Sequence, residues 1–262
     1  ALGAHGTVRA PGTNTPEKAA RKANPPHHLE AIVMNAYPTK TIREINQYVR
    51  IPADNVHLLA DLHVPEESGS LVILANDGCS RNHPRIRHAA RFLREKGIGT
   101  LVCDLLTDSE SGDDDALPEE KHDVAQLGRR LVDVTRWLQG NRETEDLRIG
   151  FFGSCAGAAA AIIAAAEMKD QIGAVVCRGG RLDLARNELE NVTCPTLLIV
   201  GEDDPDCLEI NTAAYGKLCC EKSLRLIPGA THRFGEPGKL EDLCHLGAEW
   251  LKRHLVPAVS RV

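Results

Sequence analysis

Leu147 to Gly157 reads LRIGFFGSCAG and runs straight into an Ala-rich stretch. A short apolar strand, a turn with small residues two positions either side of its centre, and then a helix is the arrangement that lifts a nucleophile clear of the backbone. The centre here is Cys155, flanked by Gly153 and Gly157. A strained backbone at the centre demands small neighbours, because strand and helix cross closely there. A thiol at the start of a helix is also favoured as the thiolate by the N–H groups and dipole of the first turn. The N–H of Ala156 would face the same space and serve as one oxyanion donor. Ser154 lies one position early, so its side chain is expected to point away. By itself, the match suits equally well a buried cysteine in a small-residue turn, and the partners must decide.

A catalytic thiol needs a base, and the base needs a carboxylate behind it to fix its tautomer. Thr196 to Gly201 (TLLIVG) is an apolar strand followed at once by GEDDPD, and Leu224 to Ile227 is another followed by PGATH. The order nucleophile, acid, base is the order that this strand–turn–helix architecture uses. His232 therefore stands out among eleven histidines; rivals such as His27, His28 and His254 fall in the leading arm or near the end of the last helix. Asp203 and Asp204 both suit the acid, and spacing does not separate them. A second oxyanion donor is expected from the loop after Leu71 to Ala75, as the N–H of Asp77 or Gly78, although Asp77 is also an ordinary turn former. Arg81, Arg178 and Arg181 fall near predicted C-terminal strand ends, where sites of α/β sheets lie. They are candidates to bind a substrate carboxylate, with pairing to local acids such as Asp183 as the competing use for Arg178 and Arg181.

The elements that position these groups alternate. Residues 1–40 are rich in Gly, Pro, Thr, Asn and Lys without a period and read as an irregular or partly disordered arm, ahead of a single domain over 41–262. Ile45 to Ile51 and Val56 to Val64 predict a hairpin, turning at Pro52 to Asn55. Strands follow at Leu71–Ala75, Ile98–Cys103, Leu147–Phe152, Ile172–Cys177, 196–200 and 223–227. Helices are expected around Ile86 to Leu93, Val124 to Leu138, 156–168, 208–219 and 239–254. The acidic stretch Asp108 to Asp115 reads as a solvated surface loop. Strand alternating with helix implies an α/β fold, a mostly parallel central sheet with helices on both faces and an antiparallel edge.

Composition narrows the class. With a net charge of -6 over 262 residues, the chain lacks the basic face that nucleic acid requires. The longest apolar run, Ala156 to Ala166, is too short to span a membrane, and the first segment has no apolar signal region. Nine cysteines are scattered rather than spaced as a framework, and the adjacent Cys219 and Cys220 lack a second pair at ligand spacing. Free thiols, a reducing cytoplasmic compartment, and neither metal nor cofactor are expected; the oligomeric state is not legible.

Four segments, GFFGSCAGAAAA, VVCRGGRLDLA, PTLLIVGEDDPD and IPGATHRF, make residues 45–255 resemble the dienelactone hydrolase family, which has the α/β-hydrolase fold. The resemblance places the acid at Asp204. VVCRGGRLDLA and the run after the elbow are similar to a bacterial branch sometimes fused to a phosphoribosyltransferase domain, which is not legible in these residues. That branch carries Ser at the elbow and a His-Gly-Ser-Gly-type oxyanion loop, where this chain has Cys155 and Ala75-Asn76-Asp77-Gly78. In dienelactone hydrolases proper an acidic residue in that loop helps control ionisation of the Cys, and the resemblance gives Asp77 that role.

The reaction so implied is acyl transfer: thiolate attack, a thioester, then water. A thiolate leaves readily, so amides are poor substrates; small activated esters, enol lactones or thioesters are expected, an acidic lactone if the arginines read a carboxylate. Aromatics at 3% argue against a large aromatic-lined pocket. The alternatives are a cyclase or acyltransferase with the same Cys, a non-catalytic binding protein on the same fold, and a Cys standing in for a native Ser.

Overall fold

Every second residue of Val56–Val64 (β2) from Leu58 onward is buried, as a half-exposed strand requires. It pairs antiparallel with Ile45–Ala53 (β1) through a turn where Asp54 adopts φ 51. The later strands are Ser70–Asn76 (β3), Gly99–Asp104 (β4), Arg148–Ser154 (β5), Ile172–Arg178 (β6), Thr196–Gly201 (β7) and Lys222–Ile227 (β8); β3 to β7 are largely buried on both faces, while β8 is a partly exposed edge. In the computed structural model, which describes residues 43–76, 80–111 and 123–255, they form one sheet in the order β1-β2-β4-β3-β5-β6-β7-β8. β2 is antiparallel to β4, and all pairs from β4 to β8 are parallel. The sheet is the expected one, antiparallel edge included. The expected arm over 1–40, together with Asp77 and Gly78, lies outside the described residues.

Alternation along the strands builds two cores. Phe151 packs on the side of helices Val124–Gln139 (α3) and Cys155–Met168 (α4), while its neighbour Phe152 packs with Pro84–Glu95 (α1) and Lys239–Leu255 (α6). α4 is apolar all round because α3, the sheet and the segment after β6 enclose it. Its approach to α3 is close: a Cβ on Gly128 would lie 2.6 Å from Ile163 Cγ2. Among the described residues no helix is long and apolar enough to cross a membrane.

Two expectations change. The helix placed at 208–219 runs from Pro205 to Lys217 (α5), because Asp204 caps it and proline fits its first turn. The acidic stretch is not simply a solvated loop: Asp108–Ser111 forms a helical turn (α2), and Glu110 works inside the fold. Arg130 of α3 is 1% exposed. Its Nη1 and Nη2 donate to Glu110 at 2.7 Å each, and Nη1 also to the Leu105 carbonyl at 2.8 Å. The remainder of that stretch, 112–115, is outside the described residues.

The bonds from Arg130 hold the Glu110 carboxyl down at about 2. Because the folded-state value is depressed, the stabilisation exists above the ordinary carboxylate value and is lost as pH falls through the folded one. Glu110→Gln is expected to lower the unfolding free energy by about 1–3 kcal/mol near neutrality. In urea titrations the gap between variant and wild type should close as pH falls from 4.5 to about 2.

Candidate active site

β5 ends at Ser154 and α4 begins at Cys155 with no intervening loop, and Cys155 takes φ 47 to make the junction. Left-handed backbone at a non-glycine residue is strained, and the surroundings must enforce it. They do so by proximity: a Cβ on Gly153 would lie 2.5 Å from Ala158 Cα and 2.7 Å from the Gly157 carbonyl. Ala156, buried in the first turn of α4, sits where helix N–H groups point out along the axis. Ser154 faces the other way and lines a cavity of about 30 Å³ with Leu74, Phe152 and Arg178.

The thiol meets the expected histidine. Cys155 Sγ lies 3.4 Å from His232 Nε2, and His232 Nδ1 lies 2.7 Å from Asp204 Oδ2. A 2.7 Å contact to a carboxylate makes Nδ1 the donor, which leaves Nε2 to exchange a proton with the sulfur. Asp204, and not the exposed Asp203, supplies the carboxylate; the Asp203 N–H instead donates to the Ala230 carbonyl at 3.0 Å. Asp204 also caps α5, its Oδ1 accepting the Cys207 N–H at 3.4 Å.

The loop that carries His232 is held on three sides. Gly201 ends β7 against it: a Cβ there would lie 2.2 Å from the Ala230 carbonyl oxygen, so any side chain would drive the loop away. Phe234, buried at φ 50, turns the chain beneath Arg178, whose guanidinium lies 5.3 Å from the ring centroid and donates to the His232 carbonyl at 3.4 Å. Thr231 Oγ1 donates to Glu236. Gly179, at φ 52, passes under the imidazole, where a Cβ would come within 3.3 Å of Cε1.

The three candidate substrate arginines are engaged. Arg81 binds Asp104 and lies 3.3 Å from Asp61. Arg181 grips Asp183 with two bonds of 3.0 Å. Arg178 serves the histidine loop as just described. Cys207, Asn211, Gly179 and Gly201 do not stand out in the sequence; an Asp-Pro pair at 204–205 is a helix-start signal that could have led to the helix holding the first two. Cys207 is buried below Asp204, and burial first, then the Asp204 carboxylate, pushes its thiol up to about 12. Asp204, Cys207 and His232 bring an oxygen, a sulfur and a ring nitrogen within 4.8 Å of one another, the one such group among the described residues. Among the described residues no two cysteines form a disulfide.

Comparison with known proteins gives consistent matches. The profile of the dienelactone hydrolase family matches residues 62–242. The crystal structure of a dienelactone hydrolase from Anabaena variabilis is 39% identical, with a TM-score of 0.76 over 81% of this chain and 99% of that one. Est1E from Butyrivibrio proteoclasticus, 17% identical, shares the fold at a TM-score of 0.65, covering 79% of this chain and 98% of its own. Two Mycobacterium tuberculosis proteins bearing a phosphoribosyl transferase name are 39% identical over 233 residues, 86% of this chain; the chain spans about half (50%) of their length.

The two adjacent acids separate cleanly by substitution. Asp204→Asn is expected to lower turnover of an activated ester by about a hundredfold or more, through loss of the imidazole's orientation. Asp203→Asn should leave turnover within about twofold of wild type. Initial rates with p-nitrophenyl acetate give both answers.

Proposed function

The chain belongs to the dienelactone hydrolase family, and from that premise we propose that it hydrolyses small activated carboxylic esters or lactones through Cys155, His232 and Asp204. The observation that carries the proposal is the unbroken contact from Cys155 Sγ through both His232 ring nitrogens to Asp204, built on a left-handed turn at a helix start. A buried cysteine with a purely packing role has no need of an imidazole held by a carboxylate.

In the proposed cycle His232 Nε2 takes the Cys155 proton and the sulfur attacks the acyl carbon, forming a C–S bond. Charge moves onto the carbonyl oxygen, which faces the first turn of α4, and the Ala156 N–H is the donor assigned to it. The partner donor is assigned to the Asp77 or Gly78 N–H, in the loop between β3 and α1. Collapse of the tetrahedral intermediate breaks the C–O bond, and the leaving alkoxide or enolate takes the proton from Nε2. Water then gives a proton to Nε2 and attacks the thioester, releasing the acid and regenerating the thiol. Asp204 stabilises the imidazolium formed in each half.

Substrate class follows from leaving groups. From a tetrahedral intermediate a thiolate departs more readily than an amide nitrogen, so amides revert, whereas enolates and phenolates compete well. Arg81 and Arg181 are each held by acids and Arg178 holds the His232 loop, so no carboxylate on the substrate is required by this reading. The phosphoribosyl transferase name belongs to proteins twice as long; a thiol, imidazole and carboxylate in line serve attack at an acyl carbon, and that is the activity assigned to this segment.

Hydrolysis of p-nitrophenyl acetate and a simple enol lactone tests the proposal, with intact mass recorded during turnover. Wild type is expected to show a burst and an acetyl adduct on Cys155, both absent in Cys155→Ala. Equal rates in wild type and Cys155→Ala would refute it. A Cys155→Ser variant much faster than wild type would mark the thiol as an adaptation away from simple hydrolysis.

A further inference from the structure

Asn211 sits in the second turn of α5 with no exposure at all. Its Nδ2 donates to the Gly180 carbonyl at 2.9 Å and the Cys207 carbonyl at 2.8 Å, and lies 3.3 Å from Cys207 Sγ. Its Oδ1 is buried and accepts no hydrogen bond among the described residues. A buried acceptor left unsatisfied costs stability, and an apolar residue would avoid that cost. Asparagine at this position therefore calls for a reason other than packing.

The two ends of its bonding supply one. Gly180 lies between the two residues that support the thiol and the base. Gly179 passes beneath the His232 ring, and the Arg181 N–H donates to the Cys155 carbonyl at 3.1 Å. Cys207 gives its N–H to Asp204 Oδ1. A single amide thus joins the backbone under the base and nucleophile to the helix start that holds the acid. Gly180 has little room to shift, since a Cβ there would already be 2.9 Å from Ala158 Cβ.

We propose that Asn211 is a positioning residue for this site, pinning the 179–181 segment to the N-terminal turn of α5 so that Cys155, His232 and Asp204 stay in line. The inference rests on the Cys155 reading of the site. Asn211 touches no reacting atom; it acts through Gly180 and Cys207. Its loss should slow chemistry more than it weakens substrate binding, because Asn211, Gly180 and Cys207 are assigned no contact with the substrate.

The test is pre-steady-state acylation by p-nitrophenyl acetate in wild type, Asn211→Leu, Asn211→Ser and Cys155→Ala, with thermal melting of each. Asn211→Leu removes both donors while keeping the same branched side-chain skeleton, and Asn211→Ser controls for its larger volume. Asn211→Ser keeps a hydroxyl able to reach the Cys207 carbonyl four residues back but not Gly180. Both variants are expected to melt as folded proteins and to acylate about tenfold to a hundredfold more slowly. The half-saturating concentration should stay within about twofold of wild type. A folded variant that acylates at the wild-type rate overturns the proposal, as does a failure of both variants to fold, which would make Asn211 a purely structural residue. If Cys155→Ala acylates like wild type, the reading of the site itself fails; if it is inert while Asn211→Leu matches wild type, only the positioning role fails.

Discussion

The close crossing of β5 and α4 is the constraint on which the rest depends. Cys155 can occupy φ 47 only because Gly153 lets the strand pass within contact distance of the helix backbone at Gly157 and Ala158. Strain of about 1–3 kcal/mol in such a backbone must be offset by the packing around it. Here α4 is buried on all sides, so the elbow is braced by the sheet and α3. A thiol fixed in this way leaves its partners no tolerance, and the loops after β7 and β8 must come to it.

They do so through glycines and one doubly used carboxylate. Gly201 allows the β8 loop to lie against the end of β7, and Gly179 leaves room for the imidazole face. Asp204 serves two masters: Oδ1 caps α5, and Oδ2 holds His232 Nδ1. Capping is worth about 1 kcal/mol and also fixes the carboxylate's direction, so the helix start orients the carboxylate that holds the imidazole. Cys207 lies beneath this arrangement with its thiol kept protonated by burial and by the Asp204 carboxylate.

Much of this was legible in the sequence because it resides in local pattern. Apolar runs gave the parallel strands, the small residues around Cys155 gave the elbow, and PGATH after an apolar strand gave His232. The choice between Asp203 and Asp204 depended on a resemblance, since neighbouring acids differ only in direction, and direction is set by the cap. Glu110 escaped notice because its value comes from a buried arginine twenty residues away, which an acidic stretch does not reveal. Asn211, Gly179 and Gly201 escaped for a related reason: each matters through backbone groups that meet only once β6, β7 and β8 lie side by side. The arginines stand out in the sequence by their nearness to strand ends, but their partners depend on tertiary neighbours.

Competitive alkylation of the thiols by iodoacetamide, read by peptide mapping over time, most directly tests whether His232 activates Cys155. Exposure alone favours Cys219, which is exposed, over the partly buried Cys155. With the imidazole in place, Cys155 is expected to react first, and His232→Ala should drop it behind Cys219. Cys219 reacting first in the wild type, with the rate at Cys155 unchanged by His232→Ala, would contradict the activation of this thiol by its histidine.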